Sequence, residues 1–265
     1  MTLSALNALF VGPLEGYRDR LVSAEDPRPS VRGADLLDPR VLTEQLDRFA
    51  RTFAAPEPRA VASIWAKQHF SILVVPALAA NIVLDLVLPV ALDAVEIIPD
   101  AGGLTRALKL RGLAPGRHES EGLTRDRAPA DRFDALIDAH LAPLVDALAA
   151  VSGVAPRVLW SNAGNIFEFV VRRTEGLPQE GGAGHAAAAR VLTSRRRSGA
   201  PNPLFEPIRY VPEVGDAPEG SPPRRVRKVC CLRYFIPDQS LCGACPLPAR
   251  PEAGPAGTSG PRRSA

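Results

Sequence analysis

All four cysteines of this chain, Cys230, Cys231, Cys242 and Cys245, fall within sixteen residues. The first two are adjacent, the last two form a C-x-x-C, and ten residues separate the pairs. A thiolate is a soft donor, and four of them within reach of one point suit zinc or an iron–sulfur cluster. Disulfides explain the grouping poorly. Adjacent cysteines do not readily pair, and a chain of 265 residues can fold on its apolar core alone. Zinc modules ordinarily present two C-x-x-C-type knuckles, and here only Cys242 and Cys245, around Gly243, match that form. Neighbouring side chains of an extended chain point to opposite sides, so Cys230-Cys231 makes a poor knuckle for one ion. A two-iron cluster is more accommodating, because each pair of thiolates need meet only one of its metals. Spacing alone leaves zinc and iron–sulfur both open.

The charge around the first pair is one-sided. Arg224, Arg225, Arg227, Lys228 and Arg233 place five positive charges within ten residues, with no acid among them. Such a run favours a reduced, more negative metal centre and attracts an anionic complex or an acidic protein. It also has the composition of a solvated basic strip. No reader motif or interleaved aromatic accompanies it, so nucleic acid is not an expected partner. The four histidines, His69, His118, His140 and His185, are scattered without metal-ligand spacing, and His140 reads as a core or boundary residue on an apolar helical face. Gly182, Gly184 and Ala187 satisfy G-x-G-x-x-A, but no strand leads into them. They read as a loop entering an Ala-rich helix rather than a dinucleotide site, so an external electron donor is implied.

The elements that must position the thiols are mainly helical. Hydrophobic content of 46% and charged content of 23% are ordinary for a globular protein. Asp38 as N-cap and Pro39 at the first helical position open an amphipathic helix carrying Leu42, Leu46, Phe49 and Phe53 on one face. A second helix is predicted over Pro58 to Phe70 and a third, wholly buried one after Pro76. Two β-leaning runs flank the turn Asp100-Ala101-Gly102-Gly103, predicting a hairpin. Leu113 to Asp126 reads as a polar loop. Ala130 to Val151 reads as a helix kinked at Pro143, and a further helix starts after Pro156. The proline-rich stretch from Gly199 reads as extended surface chain, and the Pro/Gly/Ala/Arg tail as disordered.

The start lacks a basic n-region and a sufficient apolar run, so a cytoplasmic location is expected. The most apolar stretch, Phe70 to Leu92, is interrupted by Pro76, Asn81, Asp85 and Pro89, which fits a buried core helix better than a span. Peripheral contact with the inner face of a membrane stays open.

"CCLRY", a ten-residue gap and "CGACPL" resemble the C-terminal [2Fe–2S] module of FhuF-type siderophore-iron reductases, whose pattern is C-C-x10-C-x2-C. "SIWAKQHFSILVVPALAA" from Ser63, "VLWSNAGN" from Val158 and "GAPNPLFEPIRY" from Gly199 are similar to other stretches of that family. The resemblance implies that Cys230, Cys231, Cys242 and Cys245 ligate one [2Fe–2S] cluster. It implies one-electron reduction of a ferric siderophore, with a ferredoxin or a reductase as external donor. Arg209, Tyr210, Arg227, Lys228, Arg233 and Tyr234 are the candidate substrate or partner contacts. Trp160 reads as core, while for Asn162 a cap, a brace for the module and a substrate contact all stay open. The alternative is a metal-braced siderophore-binding or redox-sensing protein without turnover. The expected organisation is a mainly α (α+β) chain. It has an N-terminal helical region (1–55), a helical body with a small β-hairpin (56–211), a Pro-rich linker (212–223), the [2Fe–2S] module (224–248) and the tail (249–265).

Overall fold

The computed structural model describes residues 6–111, 132–179, 182–212, 222–237 and 239–248. The expected polar loop, His118 and the tail from 249 onward lie outside them, as does most of the expected linker.

Helix α1 (Pro39–Ala50) starts as its sequence dictates. Asp38 accepts the Arg40 backbone N–H at 2.8 Å, and Leu42, Leu46 and Phe49 are buried. Helix α2 (Pro58–Val83) is capped by the Glu57 carboxylate, which accepts the Ala60 N–H at 2.7 Å. It corrects the expectation of two helices, because it runs through Pro76 without interruption. A proline inside a helix forfeits one backbone hydrogen bond and crowds the preceding turn. Here Leu73, Val74, Val75 and Leu78 are all fully buried around it, and that packing outweighs the local defect.

Helix α3 (Asp134–Ser152) contains a π turn at Ile137–Leu141, immediately before the segment that Pro143 opens. The expected disturbance at Pro143 is thus taken up as one widened turn. Helix α4 (Pro156–Arg173) packs along α2, and α5 (Ala183–Thr193) crosses α2 near its end. The second crossing explains the glycine pattern noted in the sequence. A Cβ on Gly184 would lie 2.3 Å from the Asn81 carbonyl oxygen, so glycine is required for the two helices to meet. The motif belongs to helix packing.

A four-stranded sheet covers one side, formed by β1 (Leu21–Ser23), β2 (Val31–Arg32), β3 (Val95–Pro99) and β4 (Thr105–Leu110) in the order β1-β4-β3-β2. The β3–β4 hairpin is the one expected around Asp100, with Ile97 opposite Leu108. The expected N-terminal helical region also supplies β1, parallel to β4, and β2, antiparallel to β3. Strands this short carry no periodicity of their own and form only against a partner already in place. Two small antiparallel pairs complete the fold: β5 (Arg196–Arg197) with β6 (Ala200–Pro201), and β7 (Ile208–Val211) with β8 (Arg224–Arg227). One continuous apolar core runs from Leu6 through α1 to α5 and ends at Ile236.

That core encloses a pair of histidines. The His140 Nδ1–H donates to the Val90 carbonyl at 2.6 Å, leaving Nε2 to accept from the His69 Nε2–H at 3.0 Å. His69 Nδ1 in turn accepts from the Thr105 hydroxyl at 2.8 Å, and Trp65 stacks on the His69 ring. Burial lowers both imidazoles, His140 to about 4 and His69 well below the usual histidine range, so both are neutral.

Candidate metal centre

The cysteine module sits on the seam between α2 and α4. Ser63 of α2 donates its hydroxyl to the Cys231 carbonyl at 2.8 Å, and Ser161 of α4 donates to the Val229 carbonyl at 3.1 Å. Asn162 joins the two helices through Nδ2, which donates to the Ser63 carbonyl at 2.8 Å and to its Oγ at 3.0 Å. Strand β8 is tied to the far end of the module, since the Arg227 N–H donates to the Ala244 carbonyl at 2.9 Å. The C-x-x-C closes as a tight turn, with the Cys245 N–H on the Cys242 carbonyl at 2.9 Å.

Three thiols are packed together here. Cys231, Cys242 and Cys245 are 2%, 9% and 6% exposed and form one buried group with Leu241 beside it. Cys231 Sγ lies 3.6 Å from Cys242 Sγ. Two sulfurs about 2.3 Å from one tetrahedral metal stand roughly 3.8 Å apart, so this pair is spaced to share an ion. Cys230 is half-buried and stands outside the packed trio, as an adjacent residue in extended chain must. Among the described residues no three His, Cys, Asp or Glu side chains converge on a single metal position. Leu232, at φ +62°, turns the chain after Cys231.

The electrostatics favour sulfur as an anion. The Cys231 thiol donates to Cys242, and Arg227 and Lys67 add positive charge, bringing Cys242 down to about 6. The same bond, with burial, pushes Cys231 up. Arg227 is 1% exposed, and its Nη2 donates to Asn162 Oδ1 at 2.6 Å and Ser161 Oγ at 3.1 Å. Among the described residues its Nε and Nη1 have no hydrogen-bond partner. A buried guanidinium held only by neutral groups is costly unless an anion stands nearby. The cysteine sulfurs are the anions that Arg227 faces. Four free thiols, three of them buried and two of these facing this cation, fit a negatively charged metal–thiolate group.

The remaining candidates separate. Arg227 is 1% exposed and faces the cleft beside Cys242 rather than the outer surface. Arg225 pairs with Glu168, to which Tyr210 also donates its hydroxyl, and Arg172 lies 4.6 Å over the Tyr210 ring. Lys228 pairs with Glu206 at 2.9 Å. The basic run, unbroken by acids in sequence, is thus partly neutralised in space by two glutamates from elsewhere. Arg209 is exposed, Arg233 donates to Gln239 Oε1 at 2.8 Å, and Tyr234 stacks on Phe235. Trp160 packs partly buried against the core. Of the roles the sequence leaves open for Asn162, its hydrogen bonds are those of a brace, while nothing in the sequence marks Ser63 and Ser161 for that part. Ser63 and Asn162 are fully buried, a fact only packing reveals.

Beside Cys242 opens a cleft of about 390 Å³, lined by Lys67, Phe169, Arg173, Arg225 and Arg227 together with the Gly243-Ala244 turn. A smaller hollow of about 220 Å³ near Arg190 and Asn202 shares no residue with it.

Comparison with known proteins places these observations in a family. Residues 63–216 match the family described as ferric iron reductase FhuF-like transporter, and residues 227–247 match the FhuF 2Fe-2S C-terminal domain. The chain is 28% identical over 120 residues to the ferric siderophore reductase of Escherichia coli (strain K12), an alignment spanning 45% of this chain and 42% of that protein. The aerobactin synthetase IucA of a hypervirulent Klebsiella pneumoniae pathotype shares the fold. Its TM-score is 0.53 at 13% identity, over 66% of this chain and 37% of the synthetase. The ATP-bound form of that synthetase gives the same TM-score at 14% identity. The body, the four-thiol pattern and the module that carries it agree, and this chain belongs to the FhuF-like ferric iron reductase family, with a [2Fe–2S] domain at its C-terminal end.

Proposed function

We propose that this chain is a ferric-siderophore reductase. The observation that carries the reading is the buried thiol group of the [2Fe–2S] domain, held against an unpaired buried cation on a body of the reductase family. When bound, the [2Fe–2S] group supplies one electron at a time to the chelated ferric ion. Ferric ion is hard and is held tightly by the oxygen donors of a siderophore. Ferrous ion is softer and held far more weakly, so a single electron discharges the iron while sparing the chelator.

The chain's own residues set the conditions for that step. Cys230, Cys231, Cys242 and Cys245 would hold the group. Ser63, Ser161 and Asn162 fix the backbone on which the first two stand. Arg227 supplies positive charge at a dry position, which favours the form carrying the extra electron. The packed thiols and Leu241 keep water from the sulfurs. The electron donor is a separate ferredoxin or reductase, and the setting is the cytoplasm or the inner face of its membrane. Helix α2 is apolar enough to cross a bilayer, but 78% of its most apolar window is buried against the protein's own core.

Anaerobic stopped-flow mixing of dithionite-reduced protein with a ferric trihydroxamate tests the proposal. The cluster absorbance should return as ferrous ion appears in a colorimetric trap. Unchanged absorbance with no ferrous product rejects it.

A further inference from the structure

We propose that the cleft beside Cys242 is the substrate seat and that it selects ferric chelates of net negative charge. This rests on the reductase reading and adds a location and a charge class to it.

The walls carry the argument. Lys67 comes from α2, Arg173 from α4, and Arg225 and Arg227 from β8, while among the described residues no carboxylate lines the cleft. Glu168 neutralises Arg225 from behind. Lys67 and Arg173 have no carboxylate partner among the described residues, and Arg173 instead lies over the Phe169 ring at 5.4 Å. Arg227 forms part of the same wall, so the positive charge it presents to the cysteine sulfurs also reaches the cleft. The volume of about 390 Å³ falls within the range of small-molecule sites, roughly 300–1,000 Å³, rather than that of a flat protein docking face. Phe169 and the Gly243-Ala244 backbone offer an apolar face. A Cβ on Gly243 would meet nothing within 4 Å, so that side is open to a bulky ligand.

Cys242 lines the cleft, so a chelate seated there lies beside a residue that would hold the [2Fe–2S] group. With the group bound and reduced by the external donor, one electron passed to the ferric ion would make the chelate one unit more negative. Lys67 and Arg173 then hold it more strongly than before the transfer, which lowers the barrier as well as binding substrate. Uncharged trihydroxamate chelates gain nothing from these cations in binding before the transfer.

Gallium(III) matches ferric ion in charge and size and is not reduced, so it separates binding from turnover. Titration calorimetry on the oxidised, cluster-loaded protein should show the gallium complex of a hexadentate tricatecholate, net charge 3−, binding about tenfold or more tightly than that of an uncharged hexadentate trihydroxamate. Lys67→Glu and Arg173→Glu should each weaken the tricatecholate complex by about tenfold with an unaltered visible spectrum, whereas Lys67→Arg and Arg173→Lys should retain it. Equal binding of the two complexes, or reversed-charge variants that bind as the parent protein does, overturns the proposal. So does a loss of binding to an acidic ferredoxin with gallium chelate binding kept, which would mark the cleft as the donor's dock. Continued single-turnover reduction of chelates by the parent protein would show that only the cleft assignment had failed. Correct gallium binding without reduction of any ferric chelate would remove the reductase reading and leave the cleft as an anion-chelate site.

Discussion

Arg227 donates through Nη2 to the side-chain oxygen of Asn162 at 2.6 Å, and Asn162 donates in turn to Ser63, whose hydroxyl holds the Cys231 carbonyl. A strand, two helices and a cysteine are thereby joined in one buried chain of hydrogen bonds. Asn162→Ala removes the link and leaves a buried guanidinium with one partner fewer. The expected cost is about 3 kcal/mol, read as a lower urea midpoint under anaerobic conditions, with reduced iron content in the purified protein.

Arg227→Gln should lower the midpoint potential of the bound cluster. Removing a buried positive charge penalises the more negative, reduced form. A fall on the order of 60 mV corresponds to a tenfold change in a one-electron equilibrium. Redox titration followed by electron paramagnetic resonance measures it, and Arg227→Lys, which keeps the charge, should recover most of the difference.

Cys242→Ser should abolish most cluster incorporation, because a hydroxyl is a far poorer iron ligand than a thiolate already brought down to about 6 by its surroundings. Iron and sulfide analysis of an oxygen-free preparation checks this. Normal content would mean that Cys242 is no ligand.

The buried histidines predict a pH dependence of stability. An unfolded histidine takes up a proton as pH falls below about 6.5, while folded His140 resists until about 4 and folded His69 resists further. The unfolded state therefore binds more protons over that window, and stability falls as pH drops from about 6.5 toward 4. Each imidazole contributes a slope of up to about 1.4 kcal/mol per pH unit. Urea midpoints measured across that window should show it, and His140→Leu should shallow the dependence.

Gly184→Ala should destabilise the fold by about 2 kcal/mol through overlap with the Asn81 carbonyl, seen as a lower melting temperature.

Local chemistry made much of this molecule readable. The cap at Asp38, the turn at Asp100 and the four-cysteine pattern each depend on residues close together in sequence, and each is found where the sequence places it. The errors arose where distant residues decide. Pro76 reads as a helix break until one knows that its neighbours are buried on every side. The basic run around Cys230 reads as unpaired until Glu168 and Glu206 arrive from α4 and from the turn before β7. Residues 21–23 and 31–32 are strands only because β4 and β3 offer edges to them. His69 and His140, 71 residues apart, give no sign of contact in the sequence.

The pairing of β7 with β8, with Ile208 opposite Arg227, has a mechanical consequence. Both ends of the proline-rich stretch are anchored side by side, so its contour length sets no reach for the thiols. Lengthening or trimming that stretch should leave the sulfurs where they are.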